Sequence, residues 1–300
     1  MAGGKNAIVS MIILNWNGIE YTRDCIKSVR EKTVYKSYEI IVVDNGSNKK
    51  EVEELKKLHS RKLIDKLILN DSNRGFSGGN NQGMDIARGN YMLLLNNDIL
   101  VKKGWLSTLV EVGESSKKIG LIGPKITLHH TPDICFGAGS ITDSGAAKFG
   151  YETERCEVEQ IGGAALLFKR AVFDKIGGLD NGFNPIYFEE SDFCTRAIRA
   201  GFKVMFVPES EVIHFENAAV SKQPSKQTFI TLNKNRVRYM LIQFPKLKLV
   251  KALPFEIFRI LKSTVKLRIH WLLAAYWIDV VALNEIVDKR LRYKKGNLKP

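Results

Sequence analysis

Short apolar runs alternate with amphipathic stretches along the first third of the chain, and the apolar runs end on polar turn residues. Ala7–Leu14 reads as a buried strand that stops at Asn15-Trp16-Asn17-Gly18, and Tyr21–Arg30 follows with helical spacing. Tyr38–Val43 is a second strand, closed by Asp44-Asn45-Gly46-Ser47. Lys50–Leu58 is a charged helix in which Glu53 and Lys57 stand at pairing distance. Lys66–Leu69 is a third strand. The glycine-rich loop Asn73–Asn81 leads into a helix near Gln82–Ala87. The most informative run is Tyr91-Met92-Leu93-Leu94-Leu95, a strand that stops on Asn96-Asn97-Asp98. Strands and helices alternating at this spacing predict an α/β domain with a doubly wound, mainly parallel sheet.

Beyond Leu100 the pattern loosens. Trp105–Glu114 has helical spacing and Ile119–Thr127 reads as a strand, while residues 129–158 are rich in turn formers and predict an excursion over the sheet. Gly162–Phe168 is another apolar run. Ser191–Arg199 is a short helix stopped by Gly201. Phe202–Val207 is a strand stopped by Pro208, with Glu211–Phe215 a separate one. From Phe229 the chain is mainly helical, with breaks at Pro245 and Pro254.

Charge divides the chain more sharply than hydropathy does. The formal charge is +14, and residues 217–300 carry all of it, with 18 Lys and Arg against 4 Asp and Glu. Residues 1–216 balance to zero and are expected to form an ordinary soluble domain, while the last third is expected to be a basic appendage, mainly helical over residues 241–300, that seeks a polyanion. Cys25, Cys135, Cys156 and Cys194 are scattered without a Cys-x-x-Cys pair, so neither a zinc knuckle nor a redox motif is expected. Asn15-Trp16-Asn17 and not a small-residue cleavage site follows Ala7–Leu14, so no secretory signal is expected, and without a run of 18 apolar residues no membrane span is expected.

In a parallel sheet the C-terminal strand ends share one edge, where ligands bind. Asn15 and Asn17, Asp44 and Asn45, and Asn97 and Asp98 converge there. One such cluster is ordinary turn chemistry; three on one rim point to a binding site. Asp98 is placed to hold a hard metal ion, with capping of the next element as the plain structural alternative. Gly75, Gly78, Gly79 and Gly83 match neither the dinucleotide fingerprint nor the P-loop, and serve either close ligand approach or a tight connection. Glu189-Glu190-Ser191-Asp192 offers either a general base with a supporting neighbour or three carboxylates favoured by a helix dipole. His214 ends a late strand, where a lone histidine is more often structural unless it lies beside Asp98.

Taken in order, these segments resemble the family 2 glycosyltransferases of GT-A fold, and within them the rhamnosyltransferase-like branch. The resemblance is carried by Ile13–Asn17, Ile41–Ser47, Asn73–Asn81, Leu93–Asp98, Gly162–Phe168, Tyr187–Arg196, Val207-Pro208 and His214, over roughly residues 7–240. It implies that Asn96-Asn97-Asp98 stands where the family carries its Asp-x-Asp, with Asp98 and His214 as ligands of Mg²⁺ or Mn²⁺. It implies that Asp44 contacts the nucleotide base, and that Asn15, Trp16, Asn17, Asn45, Asn73, Gly75, Gly79, Asn80 and Asn97 line the nucleotide-sugar pocket. Glu190 falls at the catalytic base, with Glu189 before it and Asp192 in reserve. The family's usual base is Asp in a Glu-Asp pair, so this chain departs there by one methylene. The implied reaction is an inverting transfer from a nucleotide-diphosphate sugar, rhamnose within this branch, to a hydroxyl of a glycan or polyprenyl-linked glycan in cell-surface polysaccharide synthesis.

The tail mixes Lys and Arg with Leu, Val, Ile and Phe from Lys246 to Lys266, and ends on Lys289–Lys295. That pattern predicts contact with an anionic membrane surface on the cytoplasmic face, with packing on the catalytic domain or in a homodimer as the alternative. Nucleic acid is not an expected partner, because no zinc finger, RNA-recognition signature or helix-turn-helix is present. Two other functions remain in view: a nucleotidyltransferase on a similar sheet, and a non-catalytic nucleotide-sugar-binding module.

Overall fold

The computed structural model describes residues 7–215 and 225–300. Its first part is a run of parallel crossovers: β1 (Val9–Asn15), α1 (Ile19–Lys32), β2 (Tyr38–Asp44), α2 (Lys49–Ser60), β3 (Lys66–Leu69), α3 (Gly75–Ile86) and β4 (Tyr91–Asn96). The second part holds β5 (Ile99–Val101), α4 (Trp105–Glu114), β6 (Ile119–Leu128) and five short strands. These are β7 (Cys135–Phe136), β8 (Ala138–Ile141), β9 (Ala147–Gly150), β10 (Cys156–Glu157) and β11 (Gln160–Ile161). Then come β12 (Ala165–Lys169), α5 (Arg170–Ile176), α6 (Glu189–Arg199) and β13 (Lys203–His214). Four helices finish the chain: α7 (Lys226–Gln243), α8 (Lys246–Val265), α9 (Ile269–Val281) and α10 (Leu283–Lys294).

The main sheet has ten strands, eight of them in the order β10-β13-β6-β12-β4-β1-β2-β3, with β5 and β7 pairing off that path. β1, β2, β3 and β4 are mutually parallel, as are β6 and β13, while β12 runs antiparallel to both its neighbours. The turn-rich segment contributes a second, three-stranded sheet, β11-β8-β9. The expected mainly parallel α/β architecture is thus present, with β12 reversed inside the sheet and the short β5, β7 and β10 reversed at its margins.

Period-two alternation decides the core. Met11 and Ile13 of β1, with Leu93 and Leu95 of β4, bury against the α1, α2 and α4 side. Ile12, Met92 and Leu94 face the other layer, among residues of α3, α5, α6 and the C-terminal helices. Both faces of these strands are covered, which is why they read as unbroken apolar runs.

Several local expectations are corrected. The glycine-rich segment is not a loop before a helix: Gly75 already starts α3. An ideal Cβ on Gly79 would lie 2.3 Å from Leu14 Cδ1, and one on Gly83 would lie 2.5 Å from Ile12 Cγ2. The glycines let the helix press onto β1, an advantage that outweighs their poor helix propensity. Glu53 pairs with Lys56 and Glu54 with Lys57, so the expected Glu53–Lys57 pair does not form. Pro208 does not end a strand. β13 runs through it, with a register shift between Val207 and Glu211 that removes the need for a ladder hydrogen bond there. Pro254 lies inside α8 on an exposed face, where one lost backbone bond is least costly.

The basic helices are anchored to the rest of the fold. Lys289 of α10 reaches both carboxylate oxygens of Asp180 at 2.7 Å. Arg236 of α7 holds Glu256 of α8 with two bonds of 2.6 and 2.7 Å, and Arg238 pairs with Glu285. Among the described residues no single helix is long and apolar enough to cross a membrane; α9 and α10 together pass by length and composition but bend by 62°.

Candidate active site

The strand register brings the three polar clusters level. Asn15 lies opposite Asp44 across β1 and β2, and Leu14 lies opposite Asn96 across β1 and β4. The convergence expected at one sheet edge is therefore present. The side chains there divide into those that build the rim and those that face outward.

Asn15 and Asp44 are builders, and both are fully buried. Asn15 Nδ2 donates to Asp44 Oδ1 at 2.9 Å and to Ser47 Oγ at 3.2 Å, while Asn15 Oδ1 accepts from Thr22 Oγ1 at 2.7 Å. Asp44 Oδ2 accepts from the Ser47 amide at 3.0 Å. Both Asp44 oxygens are thus engaged beneath the rim, which makes its immediate role the shape of the Asn45–Ser47 turn. Ser47 Oγ also accepts from the Asn17 amide at 2.9 Å. Asn17 stands at φ 49°, in the left-handed region where asparagine is tolerated. Trp16, between these two asparagines, is 58% exposed and presents an indole face at the rim.

Asn45 ties the second wall. Its Nδ2 donates to Asn73 Oδ1 at 2.8 Å and to the Gly75 carbonyl at 3.1 Å, and its Oδ1 accepts from the Arg74 amide at 3.0 Å. Gly75 is at φ +73°, and a Cβ there would meet Asn184 Oδ1 at 2.4 Å, so glycine is required on both counts. Gly79 is spent on packing against Leu14, and Asn80 bonds back to the Phe76 carbonyl at 2.9 Å within α3. Asn97 Nδ2 reaches Thr22 Oγ1 at 3.0 Å and joins β4 to α1.

Asp98 and His214 come together. β13 pairs antiparallel with β5, aligning His214 with Ile99, and His214 Nε2 lies 3.1 Å from Asp98 Oδ1. Both side chains are mostly buried, at 13% and 14% exposure, yet neither is sealed. The His214 Nδ1 is buried without a partner. An oxygen and an imidazole nitrogen at this separation suit two adjacent positions on one small divalent ion, whose bonds run to about 2.0–2.2 Å. No cluster of three or more His, Cys, Asp or Glu suited to a metal occurs among the described residues. Asp98 and His214 would give two ligands here, and a bound diphosphate and water would supply the others. The residues present fit such an ion as two of its six positions.

The acidic centre sits on the start of α6. An ideal Cβ on Gly163 would lie 3.5 Å from Glu190 Cβ and Cγ, so Glu190 rests over that glycine. The next residue, Ala164, accepts a hydrogen bond from the Asn96 amide at 2.9 Å, which brings Glu190 to the edge that ends in Asp98. Glu189 is buried, and its Oε2 has no partner. Burial, then the neighbouring Glu190 charge, holds the Glu189 carboxyl well above the usual range; burial also raises Glu190. Glu190 is only partly buried by surface area. It is the accessible member, and Glu189 is the one whose carboxyl is raised further. Asp192 is fully engaged: Arg196 Nε donates to Oδ2 at 2.7 Å, and Gln243 Nε2 to Oδ1 at 2.5 Å. Its geometry is that of a structural ion pair, leaving Glu190 as the carboxylate open to a substrate.

The residues immediately before this centre are strained. Tyr187 and Phe188 adopt φ of 82° and 73°, a conformation uncommon for aromatic residues. Sequence reading missed what holds them. The fully buried Asn235 of α7 points its Nδ2 at the carbonyls of Phe183, Ile186 and Tyr187, at 2.6, 2.9 and 2.9 Å. Next to it, Lys234 donates to the Asn184 carbonyl at 2.7 Å and the Gly182 carbonyl at 3.3 Å. Two successive polar residues inside a predicted helix were the available signal.

Residues 10–125 match the family model described as Glycosyl transferase family 2. Among curated relatives, an uncharacterized protein, y4gI of Sinorhizobium fredii, is 27% identical over 71% of this chain and 25% of its own length. The glucosyl-dolichyl phosphate glucuronosyltransferase of Haloferax volcanii is 24% identical over 69% of this chain and 68% of its own. The crystal structure of GalNAc-T7 with UDP, GalNAc and Mn²⁺ shares the fold, with a TM-score of 0.68 and 21% identity over 82% of this chain and 50% of that one. The chain therefore spans a quarter of the first relative and half of that crystal structure. The fold is GT-A.

Proposed function

Because residues 10–125 carry a glycosyl transferase family 2 domain on a GT-A fold, we propose that this protein is an inverting glycosyltransferase. It takes a sugar from a nucleotide-diphosphate donor and places it on a hydroxyl of a glycan or lipid-linked glycan. The observation that carries the reading is the convergence of Asp98, His214 and Glu190 on one edge of the sheet. A metal-binding pair and an accessible carboxylate there face a rim built by Asn15, Asp44, Asn45 and Ser47.

In this mechanism the donor's nucleotide lies on the rim between the Asn17 turn and the Asn73–Gly75 turn, with Trp16 and the asparagine side chains as its contacts. Asp98 and His214 are the residues that would hold Mg²⁺ or Mn²⁺. When bound, such an ion neutralises charge building on the leaving group. Glu190 Oε accepts the proton of the acceptor hydroxyl as that oxygen attacks the anomeric carbon. The bond from that carbon to the diphosphate oxygen breaks on the opposite face, which inverts the centre. One carboxylate suffices, since no covalent sugar intermediate forms, unlike retaining carboxylate chemistry.

The exposed apolar and basic faces of α8 and α9 support work on a lipid-linked acceptor at an anionic membrane surface. Leu247, Val250, Ile257, Leu261 and Val265 form an exposed stripe on α8, with Lys251, Lys262 and Lys266 beside it. A surface of this kind supports the reading of a peripheral enzyme working at the cytoplasmic leaflet.

The decisive experiment is a turnover screen of nucleotide-diphosphate sugars with Mn²⁺, nucleotide-diphospho-rhamnose first, with product analysis. Release of nucleoside diphosphate with inversion at the anomeric carbon supports the assignment. Pyrophosphate release would instead identify a nucleotidyltransferase.

A further inference from the structure

The mechanism leaves unused a cavity of about 540 Å³ walled by the Asn184-Pro185 turn, α7 and α9. We propose that it receives the phosphate head of a lipid-linked acceptor, whose hydrocarbon then runs along the exposed face of α9. The proposal rests on the glycosyl-transfer reading and names the acceptor class for it.

Position comes first. The turn that walls the cavity also joins the donor rim to the acidic centre. The Pro185 carbonyl accepts from the Phe76 amide at 2.9 Å, and Asn184 Nδ2 donates to the Arg74 carbonyl at 3.3 Å. A headgroup held here lies beside the segment that leads into Glu189 and Glu190.

Chemistry comes second. The wall combines Lys226 and Lys234 with Pro185, Ile230 and Ile278. Lys234 donates to two carbonyls, at Asn184 and Gly182, so one of its three N–H donors remains for a ligand. Lys226, at the first turn of α7, makes no ion pair among the described residues. Glu189, Asp180 and Glu285 also act on Lys234, the last two while paired with Lys289 and Arg238, and the acidic group adjoining the wall itself is Asp279, next to Ile278. Burial raises its carboxyl to about 7, and Arg238, Lys234 and Arg236 stand around it. The local balance favours an anion.

The third observation separates a lipid phosphate from a free one. Trp277, Ile278 and Val281 of α9 are 66%, 44% and 72% exposed, and Ile278 itself lines the cavity. An exposed tryptophan beside a basic, partly apolar cavity fits an amphiphile, with apolar chain on the ring and phosphate on the ammonium groups. A soluble phosphate would leave that face unused.

The test uses the full chain at pH 7 with EDTA, so that the metal-dependent donor site does not retain diphosphates. Farnesyl diphosphate, farnesol and inorganic pyrophosphate are titrated by calorimetry. Farnesyl diphosphate is expected to bind at least ~10-fold more tightly than either of the others. Lys226→Glu should weaken it by ~10-fold or more, and Trp277→Ser should weaken it while leaving pyrophosphate unchanged. Equal affinity for pyrophosphate and farnesyl diphosphate overturns the lipid assignment, and indifference to both substitutions overturns the location. Donor hydrolysis with Mn²⁺, measured on the same samples, separates the two levels. Intact hydrolysis without farnesyl diphosphate binding sinks this inference alone, whereas absent hydrolysis of all donors sinks the transferase reading.

Discussion

His214 Nε2 stands 3.1 Å from Asp98 Oδ1, and these residues are 116 positions apart, joined only because β13 folds back antiparallel onto β5. Oxygen and nitrogen at that distance satisfy each other as a hydrogen bond, and equally well as two neighbours on one ion. The segment Asn96-Asn97-Asp98 brings one carboxylate to this edge. Mn²⁺ alone should therefore bind weakly, and donor should strengthen it by completing the shell. Thermal-shift titrations of Mn²⁺ with and without nucleotide sugar check this, since ligand binding to the native state raises apparent stability. Asp98→Ala should remove the Mn²⁺ response and lower turnover by about 10²-fold or more. Unchanged Mn²⁺-dependent turnover in that variant would refute the ligand assignment.

Glu190 is the accessible carboxylate of a buried pair, and burial raises it above the ordinary glutamate value of 4.5. A general base works deprotonated, so activity should rise with pH through that elevated value and be lost below it. Glu190→Gln should lower kcat by roughly 10²–10⁴-fold and abolish the acidic limb of the profile. Glu189→Gln, which mimics the protonated state already favoured there, should cost far less. If the two variants lose activity equally, the division of roles between them is wrong.

Asn235 serves the same centre from behind. Its Nδ2 meets three carbonyls of the turn that carries Tyr187 and Phe188 through left-handed conformations. Asn235→Ala removes those bonds and leaves buried carbonyls unmet, a loss of about 1–3 kcal/mol for each group left without a partner. The expected signature is a fall in kcat with little change in donor KM, because the donor rim hangs on Asn45 and Ser47 instead. A matching rise in donor KM would mean that α7 supports the whole pocket rather than the base.

The readable and unreadable parts of this chain differ for physical reasons. Runs such as Ile40–Val43 and Met92–Leu95 are covered on both faces, so composition alone marked them as strands, and parallel pairing then brought Asn15, Asp44 and Asn96 to one edge. The family motifs placed Asp98 with His214, a contact that local periodicity could not show because it depends on β13 returning to β5. What misled was local propensity. Gly75, Gly78 and Gly79 read as a loop because helix propensity says nothing of Leu14, against which Gly79 packs. Pro208 read as a strand end because a bulge is a property of pairing. Asn235 showed only as a polar residue inside a helix, and its partners stayed hidden because a single buried amide has no period.

Gly79 and Gly83 make that packing testable. A methyl group at either position meets β1 side chains at 2.3 or 2.5 Å, inside any normal contact. Gly79→Ala and Gly83→Ala would ordinarily favour a helix by about 1 kcal/mol. Here overpacking should win and destabilise by roughly 1–3 kcal/mol. Chemical unfolding followed by circular dichroism gives the sign directly, and a stabilised alanine variant would show that α3 can lift from the sheet.

Asp279 supplies a pH test of the C-terminal helices. It is 3% exposed, neither carboxylate oxygen has a partner, and burial moves its pKa from 3.8 to about 7. The native state therefore holds this proton between those values while the unfolded chain releases it. Stability should fall as pH rises through that window, with the full penalty present above 7 and little of it near 4. Asp279→Asn removes the titration, so the variant should gain on wild type as pH rises, by at most roughly 4 kcal/mol at pH 8. Urea unfolding at pH 5 and pH 8 measures the gap between the two proteins. A gap of the same size at both values would show that Asp279 is charged in the folded protein throughout, held by Arg238 and Lys234 rather than by its proton.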